Sequence, residues 1–425
     1  MRLPEKPVLA WALYDWANSA FATTVMAGFF PLFFTKYWCA GMEETEAGLR
    51  LGTANSIAGI LVAVSSPVLG AIADALSWRK RMLFVFTSLG VVMTIGLSLV
   101  SQGDWVAAAV LYVVATIGFS GGMTFYDSLL GGVTTPERSD RTSALGYAAG
   151  YLGGGLLFAL NVFMYLSPSS FGLSSPEAAI KASFATVAVW WAVFALPLFF
   201  VVKEAGSESA TPGEPPTRAV REALTRLVAT FREVRRMKTV LLFLCAYWLY
   251  IDGLDTIVRM AVFYGTTIGL PASGLIKALL ITQFVGFPAT FLFGRLGERI
   301  GTKNGIFIGL GVYCGVTIFA YFIEKPWEFY ALAVVIGLVQ GAVQALSRSF
   351  FLRIIPPARA AQFFGFYNML GKFAVVLGPV VMGLVGSLTG STRASILGVL
   401  VFFVGGGILL AFVDEEEGKR TAAEF

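Results

Sequence analysis

Residues 70–81 read GAIADALSWRKR, and residues 294–305 read GRLGERIGTKNG. Each ends an apolar run and opens onto a short basic loop. Each carries a glycine, an acid four residues on (Asp74, Glu298) and basic residues about a turn beyond. Two copies of one junction predict a chain built twice on one plan. Fainter echoes agree. Gly118 and Gly122 match Gly337 and Gly341 as close-packing pairs. Pro136 and Tyr147 match Pro356 and Tyr367 at an offset of 220, and Trp11 and Asp15 match Trp248 and Asp252 at an offset of 237.

The runs between these junctions set the solvent. Apolar residues make up 56% of the 425-residue chain and charged residues 13%, against roughly a quarter charged in soluble domains. A membrane-spanning helix needs about 20 mostly apolar residues. Twelve runs qualify, with expected limits 8–35, 51–74, 82–101, 104–130, 141–166, 180–202, 239–264, 272–294, 304–323, 328–350, 361–387 and 393–412. They are too long and too continuous for barrel strands. The fold class is therefore all-α, a membrane protein of twelve transmembrane helices in two six-helix pseudo-symmetric halves. The first run is too long for a signal-peptide core and reads as a retained span.

Basic residues orient the spans. With the N-terminus in the cytoplasm, and residues at span ends counted with the adjoining segments, inner segments hold 23 of the 31 Lys and Arg, outer segments 5, and the span interiors Arg259, Lys277 and Lys372. Both termini are expected in the cytoplasm. The expected domains are an N-terminal half (1–203), a cytoplasmic linker (204–238), a C-terminal half (239–412) and a cytoplasmic tail (413–425). The linker starts Pro/Gly/Ser/Glu-rich and flexible. It continues with Val220, Leu224, Leu227, Phe231 and Val234 at helical spacing among five arginines, an amphipathic helix expected on the anionic inner leaflet.

Composition also excludes chemistry. There is no histidine, and Cys39, Cys245 and Cys314 are too scattered for a metal site. GYLGGG lacks the Lys-Ser/Thr ending of a phosphate loop, so it reads as close helix packing and ATP is not expected as a direct drive. No metal, no cofactor, no nucleic-acid partner and no enzymatic activity are expected.

Twelve spans, a central inner loop and the G-x-x-x-D-x-x-x-x-R-K junction resemble the major facilitator superfamily. More narrowly, YDWANSAF, DRTSALGYAAGYLGGG, DGLDTIVRMAVFYG and QALSRSFFLRIIPPARAAQFFGFYNMLGK resemble its branch containing the yeast vacuolar amino-acid effluxer of autophagy and many bacterial permeases. The resemblance covers essentially the whole chain and implies transport. It departs at Ser77-Trp78, where the superfamily loop usually has glycine, so a tighter or reshaped turn is expected there. It also implies that spans 1, 2, 4, 5, 7, 8, 10 and 11 line a central cavity. Asp74 and Glu298, with Arg79, Lys80 and Arg348, would then gate the inner side. An acid at such a helix end can bind the N-terminus of a helix from the other half and a nearby arginine.

The intramembrane ionisable groups fall on those lining spans, and such groups usually mark a pathway. Asp15 is in span 1, Asp127 in span 4, Asp252, Asp255 and Arg259 in span 7, Lys277 in span 8, Arg348 in span 10 and Lys372 in span 11. Helical spacing puts Asp15 with Asn18, Gln340 with Gln344, Ser347 and Arg348, and Asn368 with Lys372 on single polar stripes. Asp15 requires water or a cation, and Lys372, Arg348 and Arg259 are available. Lys277 is expected to snorkel at the outer mouth, and Arg348 lies near enough to the inner surface to do the same. Asp255 and Arg259, four apart, can pair on one helix. Lys372 is expected to meet Asp252 or Asp255. Tyr147, Tyr151 and Tyr367 either pack or touch an organic solute.

The expected function is a monomeric secondary transporter in a bacterial inner membrane, in contact with lipids and coupled to protons. It would move a small polar or zwitterionic organic solute, an amino acid or similar, outward by alternating access. The expected substrate residues are Asp15, Asn18, Tyr147, Asp252, Asp255, Gln340, Gln344, Asn368 and Lys372; the expected proton carriers are Asp15, Asp252 and Asp255. A drug or sugar permease, a uniporter or a non-transporting sensor on the same fold remain the alternatives.

Overall fold

The structure is a computed structural model that describes residues 4–204, 237–267 and 272–424. Side chains at 44–45, 259–267, 272–273, 275, 326, 372–376, 379 and 392 lie outside the described set. The expected amphipathic linker helix falls in 205–236 and is also outside it.

Every regular element among the described residues is helical. The first six spans are Lys6–Trp38, Glu44–Leu76, Arg79–Leu99, Trp105–Ser128, Ser139–Leu166 and Pro176–Val201. The second six are Lys238–Thr267, Ala272–Ile300, Thr302–Tyr321, Pro326–Ile354, Ala360–Thr389, and a last span split into Thr392–Leu397 and Leu400–Ala411. Apolar length explains the spans, and local chemistry explains their ends. The Asp104 carboxylate accepts from Ala107 N and the Ser175 hydroxyl from Ala178 N, both N-caps. Pro67, Pro197 and Pro288 sit inside helices, as neighbouring helices in a membrane allow. Span 1 is wound as a π-helix over Phe21–Phe29 and again over Phe34–Trp38.

The junction after span 2 makes its turn at a serine, which bears out a reshaped turn at Ser77-Trp78. Ser77 adopts φ 52° at the C-cap, among the described residues the lone non-glycine at positive φ. A left-handed L-residue costs about 1–2 kcal/mol. We expect Ser77→Gly to stabilise the protein by about 1 kcal/mol, read as a higher midpoint of thermal unfolding. An unchanged or lower midpoint would mean that the serine side chain offsets the strain.

Each half buries its own core. Trp11, Phe21, Phe30, Trp38, Tyr112 and Trp191 are fully or nearly fully buried in the first, and Tyr250, Phe350, Phe351, Phe363 and Phe403 in the second. Both termini lie on one membrane face, called here the terminus face. There Glu5 pairs with Arg138 (3.9 Å) and Arg353 with both Asp140 and Glu415. The residues after span 12 are not a plain tail: Glu415–Ala423 is a helix whose Gly418 lies against Ile354 and Thr239.

On the terminus face the two halves touch through backbone. Gly70 of span 2 faces the Ala361 carbonyl of span 11, and a Cβ at Gly365 would come within 2.6 Å of the Ser66 carbonyl. At the second seam between the halves, Gly294 of span 8 faces Ala144 of span 5, and Tyr151 lies over Gly286 and Gly341. Deeper, Gln283 Nε2 donates to Thr23 Oγ1 across the halves (2.9 Å). The protein is closed on the terminus face.

Candidate functional site

Arg348 lies at the centre of this closure. It belongs to the second half, yet among the described residues every hydrogen bond, ion pair and ring contact of its guanidinium goes to the first. Nη1 reaches Asp127 Oδ1 (3.1 Å), Nη2 reaches Asp15 Oδ2 (3.4 Å), Nε donates to Ser143 Oγ (2.9 Å) and Nη2 to Ser143 O (2.9 Å). Three rings surround it: Tyr147, Trp11 and Tyr126, with centroids 4.3, 4.8 and 5.5 Å from Cζ. Arg348 is 0% exposed, Asp15 4% and Asp127 3%. The expectation that Arg348 snorkels to the inner surface is therefore corrected. Snorkelling reckons depth along one helix, whereas here the facing half covers the side chain.

The sequence positions these groups by small residues. A Cβ on Gly146 would lie 2.5 Å from Asp15 Oδ2 and 3.1 Å from Arg348 Nη2, and Gly150 lies against Ser19. GYAAGYLGGG thus brings span 5 onto span 1, as helices rich in small residues do. Tyr126 stacks on Trp11 (4.5 Å) and donates its hydroxyl to Asp15 Oδ2 (2.8 Å), while Trp11 Nε1 donates to Tyr126 O. Asn368 Nδ2, from span 11, donates to Asp127 Oδ2 (3.2 Å). We expect Gly146→Ala to force these groups apart, at a cost of about 1–3 kcal/mol for overpacking and with most transport lost. Wild-type stability would show that the cluster has slack.

The first junction clasps the second half. Asp74 accepts from Ala361 N (3.2 Å) and Gln362 N (2.8 Å), the start of span 11, and from Arg79 Nε (2.7 Å). Arg79 Nη2 donates to the carbonyls of Pro357 and Ala358. Lys80 does not cross: its Nζ donates to Val202 O, at the end of span 6. Glu204 completes that corner by accepting from Arg79 N and Lys80 N. Burial raises its carboxyl above the ordinary range while the two amides oppose the rise.

The second junction is built otherwise. Glu298 is exposed and takes no hydrogen bond or ion pair among the described residues. Asp140, at the start of span 5, does the clasping. It accepts from Ser349 Oγ, from Thr302 Oγ1 (2.6 Å) and from Arg353 Nη2 (3.2 Å). Arg353 in turn pairs with Glu415 (3.3 Å), and Lys303 Nζ donates to the Ala411 and Val413 carbonyls. Lys303 and Lys80 thus perform the same task in the two halves, as do Val413 and Val202.

The remaining sequence candidates scatter around the cluster. Asn18 is buried and donates to Met123 Sδ. Tyr147, Asp255, Gln340, Gln344 and Asn368 are half-buried. Asp252 is 0% exposed and accepts from Gly378 N (2.9 Å) and Thr256 Oγ1 (3.2 Å); its Oδ2 has no hydrogen-bond partner among the described residues. The Arg259 and Lys372 side chains lie outside the described residues, and with them the expected Lys372 contact. Lys277 is exposed. Tyr367 is buried and stacks on Tyr247 (4.0 Å). Sequence reasoning passed over Tyr126, Ser143, Gly146, Asp140, Arg353, Glu204 and Glu415. The repeat of Val202-Lys203-Glu204 as Val413-Asp414-Glu415 was the available signal for the last two.

Residues 51–136 and 133–423 match the model of the family described as vacuole effluxer Atg22 like. Over 417 residues the sequence is 36% identical to the uncharacterized MFS-type transporter YxiO of Bacillus subtilis, covering 98% of this chain and 96% of that one. It is 28% identical to autophagy-related protein 22 of Yarrowia lipolytica over 67% of this chain and 52% of the fungal one. Among solved structures, the major facilitator transporter FucP superposes with a TM-score of 0.71 at 13% identity, covering 96% of this chain and all of FucP. The proton:xylose symporter XylE gives 0.70 at 14%, covering 97% and 96%.

Proposed function

This chain belongs to the vacuole effluxer Atg22-like family of the major facilitator superfamily, and from that premise we propose that it exports a small polar or zwitterionic organic solute, an amino acid or similar, by proton-coupled alternating access. It is an integral membrane transporter and not an enzyme. The reading rests foremost on one observation: Arg348 of one half is enclosed by Asp15, Asp127 and Ser143 of the other. A contact of that kind forms and breaks when halves rock about a central site. Two acids then share one cation, so its departure leaves a carboxylate to be neutralised by a proton or by the solute. Tyr147 and Asn368, which contact the cluster, and Gln340, Gln344 and Asp255 are partly open and supply aromatic, amide and carboxylate contacts. Asp15, Asp252 and Asp255 are the proton candidates, and Asn18 and Lys372 complete the proposed solute site. Likeness along the whole chain to a Bacillus subtilis transporter supports a bacterial cytoplasmic membrane, the basic residues of the terminus face support that face lying inside, and the transporting unit is proposed as a monomer.

The test is solute counterflow into sealed proteoliposomes, over amino acids, peptides and sugars, with and without an imposed pH gradient. We expect uptake of an amino-acid-like solute, accelerated by the gradient and lost in Asp15→Asn at equal abundance. Flux unaffected by that variant, or no flux of any solute, would sink the reading.

A further inference from the structure

Arg348 shows what its enclosure binds. The first half presents two carboxylates (Asp15, Asp127), one carbonyl (Ser143 O) and three rings (Trp11, Tyr126, Tyr147) around a single organic cation. Carboxylates with aromatic faces are the chemistry that recognises ammonium and guanidinium groups. None of these cage residues belongs to the half that supplies the cation. Resting on the alternating-access reading above, separation of the halves at the terminus face withdraws Arg348 and leaves the cage intact. Two buried acids without a cation are costly, so another cation is drawn in.

We propose that the cage of Asp15, Asp127, Trp11, Tyr126 and Tyr147 is the binding site for the cationic group of the transported solute, and that Arg348 is its tethered competitor. Solute amine and Arg348 occupy the cage in turn, the amine when the terminus face is open and Arg348 when it is closed. A monovalent alkylammonium or guanidinium head fits, including the ammonium of a zwitterion. While it occupies the cage, Arg348 is unavailable to a solute carboxylate, because each of its guanidinium nitrogens then has a first-half partner.

The test uses full-length protein in nanodiscs and three probes of one size: phenethylammonium, 2-phenylethanol and phenylacetate. Arg348→Met should bind phenethylammonium about tenfold or more tightly than wild type and gain melting temperature from it. The alcohol and the acid should give neither effect. Adding Asp15→Asn and Asp127→Asn should erase the gain. Equal gains for all three probes, or none for the amine, would overturn the proposal. Should Arg348→Met fail to assemble, Asp74→Asn loosens the same face from outside the cage, and the same preference for the amine is expected; its absence would likewise overturn the proposal. Failure of alternating access would appear instead as absent flux in vesicles while the vacated Arg348→Met cage still selects the amine.

Discussion

Replacing Arg348 with methionine should cost about 3–5 kcal/mol of stability, the usual cost of leaving a buried charge without its partner. Asp15 and Asp127 are both almost fully buried, and Ser143 Oγ and O lose their donor as well. Tyr126 and Asn368 would still donate to the two acids, which bounds the loss from above. Neutralising all three positions (Arg348→Met, Asp15→Asn, Asp127→Asn) should recover most of the stability while transport stays lost. That pattern is strongly non-additive, as expected for residues in one network. Thermal unfolding at equal protein-to-lipid ratio reads it. A single variant within about 0.5 kcal/mol of wild type, the range of an ordinary surface change, would mean that Arg348 is not what compensates the acids.

Asp74→Asn should open the terminus face. The carboxylate accepts two backbone amides at the start of span 11 and the Arg79 guanidinium, and hydrogen bonds to a charged group are worth about 1.5–3 kcal/mol each. Asparagine keeps the shape and one acceptor but loses the charge that faces the helix N-terminus. Losing the equivalent of one such bond shifts the ratio of closed to open by about tenfold or more. In a background without native cysteines, a buried reporter at Thr142→Cys should react faster with a polar maleimide applied from the terminus face. Equal rates would show that the Asp74 clasp is not what holds that face shut.

Sequence periodicity and charge bias made the twelve spans legible, because a bilayer accepts few alternatives to long apolar helices. The same constraint made Asp15 conspicuous and narrowed its partner to three cations, of which the structure selects Arg348. What stayed hidden depends on how the halves meet. Tyr126 and Ser143 look like filler until span 10 is laid across them. Glu298 repeats the frame of Asp74, yet the face of span 8 toward span 5 is filled by Gly294 and Gly297. Span 5 brings its own acid, Asp140, and takes Thr302, Ser349 and Arg353 with it. A repeat fixes positions along the chain; which of two nearby acids meets the other half is decided by packing.

On the proposed mechanism the Arg348 cluster forms and breaks as the two membrane faces open in turn. Spin-label distances in liposomes test it directly, with one pair across the terminus face at Thr135 and Glu298 and one across the opposite face at Gln102 and Thr389, all exposed. Lowering the pH or adding the transported amine should lengthen the first distance and shorten the second in the same sample, and Asp15→Asn should shift the resting populations the same way. Both distances staying fixed under every condition, or lengthening together, would mean that the Arg348 cluster is a fixed structural lock and not a contact that breaks in the cycle.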